Sequence, residues 1–201
     1  MAGDGARVPF VGLTGGIAAG KSEALKALER LGAATLSTDA VVHELLESGD
    51  VRTRLVDRFG DRVAPEGRID RAAVAEVVFA DPEQRGWLEN VLWPRVGERV
   101  AAWRDAVERK KPPPRAAVVE VPLLFEAGME NAFDRTIAVV ADESVREERA
   151  GDRGHRGLES RTSRQLTQDE KADQADLVVK NDGTIEELER QLSKALETIR
   201  R

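Results

Sequence analysis

Short apolar runs alternate along this chain with longer stretches whose apolar residues recur at helical spacing. Val8 to Leu13 (VPFVGL) is apolar and partly β-branched, with Pro9 near its start, where a missing N–H is tolerated, and it predicts a buried strand. From Ser22 onward Leu25, Leu28 and Leu31 recur at helical spacing, and Gly32 stands where a C-terminal cap belongs. Ala33 to Leu36 predicts a second strand, which runs into Ser37, Thr38 and Asp39; Val41, Val42, Leu45 and Leu46 then repeat at helical spacing. Ala116 to Val121, Thr136 to Val140 and Leu177 to Lys180 predict three more strands, the last closed by the turn Asn181-Asp182-Gly183. The final helix opens with Thr184 and Glu187 in capping-box spacing and carries Ile185, Leu188, Leu192, Leu196 and Ile199 along a side expected to pack on the sheet. Such alternation predicts an α/β fold with a parallel sheet and right-handed crossovers, whose ligands collect beyond the carboxyl ends of the strands.

Residues 51–111 break the alternation. They read as helices joined at FGDRVAPEGRID and FADPEQ, and all three tryptophans, Trp87, Trp93 and Trp103, lie among them. An inserted helical subdomain is the simplest account. KKPPPR, Lys110 to Arg115, then reads as a stiff spacer, with a proline-rich partner ligand as the alternative. One domain of 201 residues is expected, with no internal repeat.

Composition narrows the partners. A net charge of -6 argues against a dedicated duplex-binding protein, which needs clustered positive charge to displace counterions. The absence of Cys excludes a disulfide framework and a thiolate zinc site. MAGDGAR has no long apolar region, and no apolar run approaches the length of a membrane span, so a soluble cytoplasmic protein is expected.

The chemistry starts between the first strand and the first helix. Gly15-Gly16-Ile17-Ala18-Ala19-Gly20-Lys21-Ser22 fits G-x-x-x-x-G-K-S/T in the strand-loop-helix context the motif requires. Glycines let successive N–H groups turn inward on phosphate oxygens, and the following helix adds its positive end. Lys21 is expected to reach the β and γ phosphates of ATP, and the Ser22 hydroxyl to join the shell of a Mg²⁺. The alternative is a tight glycine-rich turn with an exposed lysine. A GTP-driven switch is disfavoured: there is no N-K-x-D, and the one D-x-x-G, Asp57 to Gly60, lies away from a strand end.

Asp39, after the second strand, can face a substrate hydroxyl and accept its proton, or merely cap the next helix. His43 shares its helical face and reads as a partly buried structural or substrate-contacting residue rather than a metal ligand. Glu120, closing the third strand, is a candidate for binding Mg²⁺ or its waters. Residues 145–165 carry Arg146, Arg149, Arg153, Arg156, Arg161 and Arg164 among three glycines, a pattern suited to a lid over a transferred phosphoryl group or to a solvated helix of ion pairs. For Arg146, Arg156 and Arg164 the solvated reading is preferred.

A series of ordered segments then resembles the dephospho-CoA kinase family. LTGGIAAGKS is similar to that family's LTGGIGSGKS, and STDAVVHELL to its DADxxxHxL. FGDRV followed by GRIDRAAVAEVVFADPEQRGWLENVLWP resembles its dGxidRxxLxxxvFxdpexrxxLexixHP. VPLLFEAG resembles vPLLfE, and RAGDR, RTSRQ and DEKADQADLVVKNDG resemble RxxxR, RxxsQ and eKxxxADxvIdNdG. The resemblance implies a P-loop kinase fold with a five-stranded parallel sheet, helical residues 51–111 receiving the CoA moiety and a lid at 145–165. It implies Asp39 as base, Lys21 and Ser22 on phosphate and Mg²⁺, Arg149, Arg153 and Arg161 as lid arginines, and Asn181 to Gly183 beside the adenine. The implied reaction is phosphorylation of the ribose 3′-hydroxyl of dephospho-CoA by ATP. Ser37, Glu120 and Trp93 depart from the family's Asp, Asp and His, and the lid is slightly short. Those departures keep two rivals in view: a kinase of another small molecule, and a nucleotide-binding module without turnover.

Overall fold

The computed structural model describes residues 7–152 and 165–200. Five parallel strands form one sheet: β1 (Phe10–Gly15), β2 (Ala34–Ser37), β3 (Ala117–Glu120), β4 (Arg135–Val140) and β5 (Leu177–Lys180), in the order β2-β3-β1-β4-β5. The helices are α1 (Lys21–Arg30), α2 (Thr38–Glu47), α3 (Gly49–Phe59), α4 (Arg71–Ala80), α5 (Pro82–Glu108), α6 (Glu143–Asp152), α7 (Gln168–Gln174) and α8 (Ile185–Ile199).

The chain divides into two compact units, residues 1–37 with 104–201 and residues 38–103. In the first, β1 is the central strand, paired with β3 through Leu13 opposite Glu120 and with β4 through Gly15 opposite Val139. The chain leaves β1 toward β2 on one side and later crosses to β4 on the other, so the carboxyl end of β1 is the switch point where such sheets bind ligands. Val11, Leu13, Val118, Ile137 and Val139 of the sheet are buried with Leu28 of α1 and Leu188, Leu192 and Leu196 of α8. That face of α8 follows the sequence pattern, although Ile185, at its first turn, is 51% exposed. Gly32 ends α1 in the left-handed region at φ 87, as its capping position requires.

The strand bounds depart from the apolar runs by at most two residues, and those of β5 coincide with its run. β1 begins after Pro9 and continues through Thr14 and Gly15, because pairing with β4 on the far side holds those residues extended. No helix among the described residues is long and apolar enough to cross a membrane.

The second unit is all helical. It starts with α2, where sequence placed the insertion from Val51, and α5 runs unbroken for 27 residues across its boundary. Pro94 lies inside α5 and removes one ladder bond. Beside it Arg95 donates to the Val91 carbonyl at 2.7 Å and grips Asp50 of α3 at 2.8 Å. Asp50, 60% exposed, is held below the ordinary carboxylate range by those hydrogen bonds from Arg95 and Ser48. Trp87 packs edge-on to Phe59 at 5.3 Å. Trp93, in contrast, is 57% exposed.

Candidate active site

The phosphate loop leaves the carboxyl end of β1 and runs directly into α1. Two of its glycines are demanded by their surroundings. A methyl group on Gly15 would collide with the Val139 carbonyl of β4, and one on Gly20 with the Asn181 side-chain amide. Gly20 also sits at φ 90, ψ 30, where a residue with a Cβ is strained. Ala18 takes φ 58 although it has a Cβ, a conformation that persists only where the surroundings impose it.

Gly20 occupies the N-cap of α1 and supplies no side chain to its first amides, whereas α7 and α8 each open on a closed capping box. A helix start left open behind a glycine loop is completed by an anion. Lys21 curls back over the loop, its ammonium donating to the carbonyls of Gly15 at 3.1 Å and Gly16 at 3.0 Å. Ser22 follows in the first turn of α1 and is exposed.

The loop is also held from behind. Asn181, buried at the end of β5, donates its amide to the Ala19 carbonyl at 2.9 Å. Arg146 of α6 donates Nε–H to the Ile17 carbonyl at 3.0 Å. Arg149, one turn on, buries its Nη1 without a hydrogen-bond partner among the described residues, and that nitrogen lies 3.6 Å from where a Cβ on Gly20 would stand. Gln168 of α7 donates to the Ala141 carbonyl at 2.9 Å, accepts from its N–H at 3.1 Å, and leans on Gly16.

Glu120 is buried at 5% exposure at the end of β3, opposite Leu13 of β1 and Ser37 of β2. Beyond it Lys171 is wholly buried, donating to the Pro122 carbonyl at 2.6 Å and pairing with Glu126 at 3.0 Å. Glu126 also accepts from the Leu166 N–H at 3.0 Å. This pair fastens α7, and with it Gln168, to the loop after β3.

In the helical unit Asp39 is exposed within the first turn of α2, two residues past the end of β2. His43, one turn further, is exposed rather than partly buried, and its Nδ1 lies 2.8 Å from Arg71 Nη1. Arginine can only donate, so Nδ1 is the acceptor and the ring proton resides on Nε2. The same unit has a separate cleft of about 890 Å³ between α3, α4 and the start of α5, lined by none of the candidate catalytic, nucleotide-binding or metal residues.

The first unit therefore gathers Gly15, Gly16, Ile17, Ala18, Ala19, Gly20 and Lys21 with Arg149 and Asn181, and places Ser22 and Glu120 at the adjoining helix and strand ends. Arg153 and Arg161 lie outside the described residues, as do Arg156 and Arg164. Gly183 is exposed and is kept small by the Glu187 carboxylate of the α8 capping box. Arg146 corrects the solvated reading, since it bonds the loop itself. Gln168 and the Lys171–Glu126 pair were not singled out; a Lys inside DEKADQ has no hydrophobic pattern to announce burial.

The Mg²⁺ expected at Ser22 and Glu120 meets hard oxygen donors there, the chemistry that ion requires. No group of three or more acidic or histidine side chains among the described residues is placed to hold a metal alone.

The family model for dephospho-CoA kinase matches residues 9–187. A dephospho-CoA kinase of Symbiobacterium thermophilum is 36% identical over 193 residues, covering 92% of this chain and 79% of the relative. One from Thermobifida fusca is 34% identical, covering 95% and 96%. A solved Thermus thermophilus structure superposes with a TM-score of 0.79 at 31% identity, covering 96% and 98% of the two chains. With its five-stranded parallel sheet, its phosphate loop and a match across nearly its whole length, the chain belongs to the dephospho-CoA kinase family.

Proposed function

We propose that this chain transfers the γ-phosphoryl group of ATP to the ribose 3′-hydroxyl of dephospho-CoA, releasing ADP and CoA. The observation that carries the reading is the open, uncapped start of α1 behind a glycine loop braced by Asn181 and Arg146, in a chain of this family. Backbone N–H groups of the loop and of the first turn of α1 hold the triphosphate, and Lys21 exchanges its contacts with Gly15 and Gly16 for the β and γ phosphates. Arg149, whose buried Nη1 has no partner among the described residues beside Gly20, supplies charge to the moving phosphoryl group, as do Arg153 and Arg161. Ser22 and Glu120 would hold Mg²⁺, which when bound neutralises charge building on the phosphate oxygens.

Asp39 orients the 3′-hydroxyl and takes its proton as the 3′-oxygen bonds to the γ-phosphorus and the bond to the β–γ bridging oxygen breaks, its electrons leaving with ADP. Asp39 is exposed in the first turn of α2. The helical unit receives the rest of the CoA moiety, Asn181 to Gly183 lie beside the adenine, and the setting is the cytoplasm.

An acceptor panel tests the assignment. With ATP and Mg²⁺, ADP release should rise with dephospho-CoA and not with nucleoside monophosphates. Preference for a monophosphate would make the chain a different small-molecule kinase, and ATP binding without ADP release would make it a binding module.

A further inference from the structure

We infer that Arg146 is a positioning residue for the phosphate loop, fixing the Ile17–Ala18 peptide in the orientation that presents an N–H, not a carbonyl, to the triphosphate. The inference rests on ATP being the loop's ligand. Ala18 occupies the left-handed region at φ 58, which its Cβ disfavours, so this peptide has a standing reason to flip. Across a trans peptide the carbonyl and the N–H point in opposite directions. Arg146 Nε–H holds the Ile17 carbonyl at 3.0 Å, and the guanidinium also lies against Gly16, 3.7 Å from where its Cβ would be. While that bond stands, the Ala18 N–H faces away from α6; a flip would aim the Ile17 carbonyl there and repel a phosphate oxygen. Asn181 treats the next-but-one carbonyl, Ala19, in the same manner from β5. Alternate carbonyls of the loop are thus drawn outward by donors on two different elements.

Arg146 thereby links α6 to the loop at Ile17, while Arg149 on the same helical face lies beside Gly20. The link needs a donor at one atom and not a charge. The side chain of Gln places its amide nitrogen the same number of bonds from the backbone as Arg Nε, and Met places a methyl group there.

The experiment compares ATP affinity by calorimetry, without acceptor, for the wild-type chain, Arg146→Gln and Arg146→Met, and adds steady-state KM values for both substrates. Arg146→Gln should bind ATP within about twofold of wild type, and Arg146→Met about tenfold more weakly, the scale of one hydrogen bond from a charged donor. KM for ATP should rise in Arg146→Met while KM for dephospho-CoA stays put. Equal affinities for Gln and Met overturn the inference: if both match wild type the bond is idle, and if both are weak the charge acts on the nucleotide directly. A wild-type chain that binds no ATP overturns the functional reading as well, which separates the two failures.

Discussion

Replacing Gly20 by Ala tests how the loop is built, because two independent penalties meet at that atom. The first is backbone strain at φ 90, about 1–2 kcal/mol for a residue with a Cβ. The second is steric: the new methyl group takes the place of the Asn181 amide, which must leave the Ala19 carbonyl it now bonds at 2.9 Å in a buried setting. Orphaning such a pair costs about 1–3 kcal/mol. Gly20→Ala should therefore lose roughly 2–5 kcal/mol of unfolding free energy in urea. Asn181→Ala alone orphans the same carbonyl and should lose about 1–3 kcal/mol. In the double variant the methyl group meets only Arg149 Nη1, at an ordinary contact distance of 3.6 Å, so only strain adds to the Asn181→Ala loss. A double-mutant cycle should return a coupling of about 1–3 kcal/mol, the double being less damaged than the sum. Strict additivity, within about 0.5 kcal/mol, would refute the argument that Gly20 is required by the Asn181 amide as well as by its φ.

Three further outcomes follow from the same geometry. Lys171→Met strands the Glu126 carboxylate in the interior and should cost about 3–5 kcal/mol in denaturant unfolding, with Glu126→Gln restoring much of it; a single loss below about 1 kcal/mol would contradict the pairing. The Glu170 carboxyl is held below its ordinary 4.5 by the Thr167 backbone N–H and hydroxyl, so its contribution is fully present above that pH and lost as pH falls through the depressed value. Glu170→Gln should accordingly flatten the acid limb of the stability profile, and an unaltered limb would discount the capping box. Asp39→Asn should keep ATP affinity while turnover falls on the order of 100-fold, whereas near-normal turnover would remove Asp39 from the role of base.

Much of this fold is written in local pattern. The five apolar runs became the five strands, and Thr184 with Glu187 formed the capping box their spacing announces. The joints at FGDRVAPEGRID and FADPEQ fall where α3 gives way to α4 and α4 to α5. What the pattern could not supply depends on distant partners. Gly15 and Thr14 join β1 because β4 lies alongside, and Lys171 is buried because Glu126 and Pro122, some 45 and 49 positions away in the chain, receive its ammonium. In the site, the glycine loop and Lys21 stand out in the sequence because a phosphate cradle needs those residues at those spacings, whereas Arg149 is singled out only by the family resemblance. The bracing by Asn181 and Arg146 was not, since hydrogen bonds to backbone carbonyls across more than a hundred residues leave no periodic trace.

The most direct test supplies ATP with a radioactive γ-phosphate, Mg²⁺ and dephospho-CoA, and follows the label. It should move to the ribose 3′-oxygen of the acceptor with one ADP formed per CoA, and Lys21→Ala should suppress the transfer on the order of 100-fold. Label left on ATP, released only as free phosphate, or carried to another position would contradict the account.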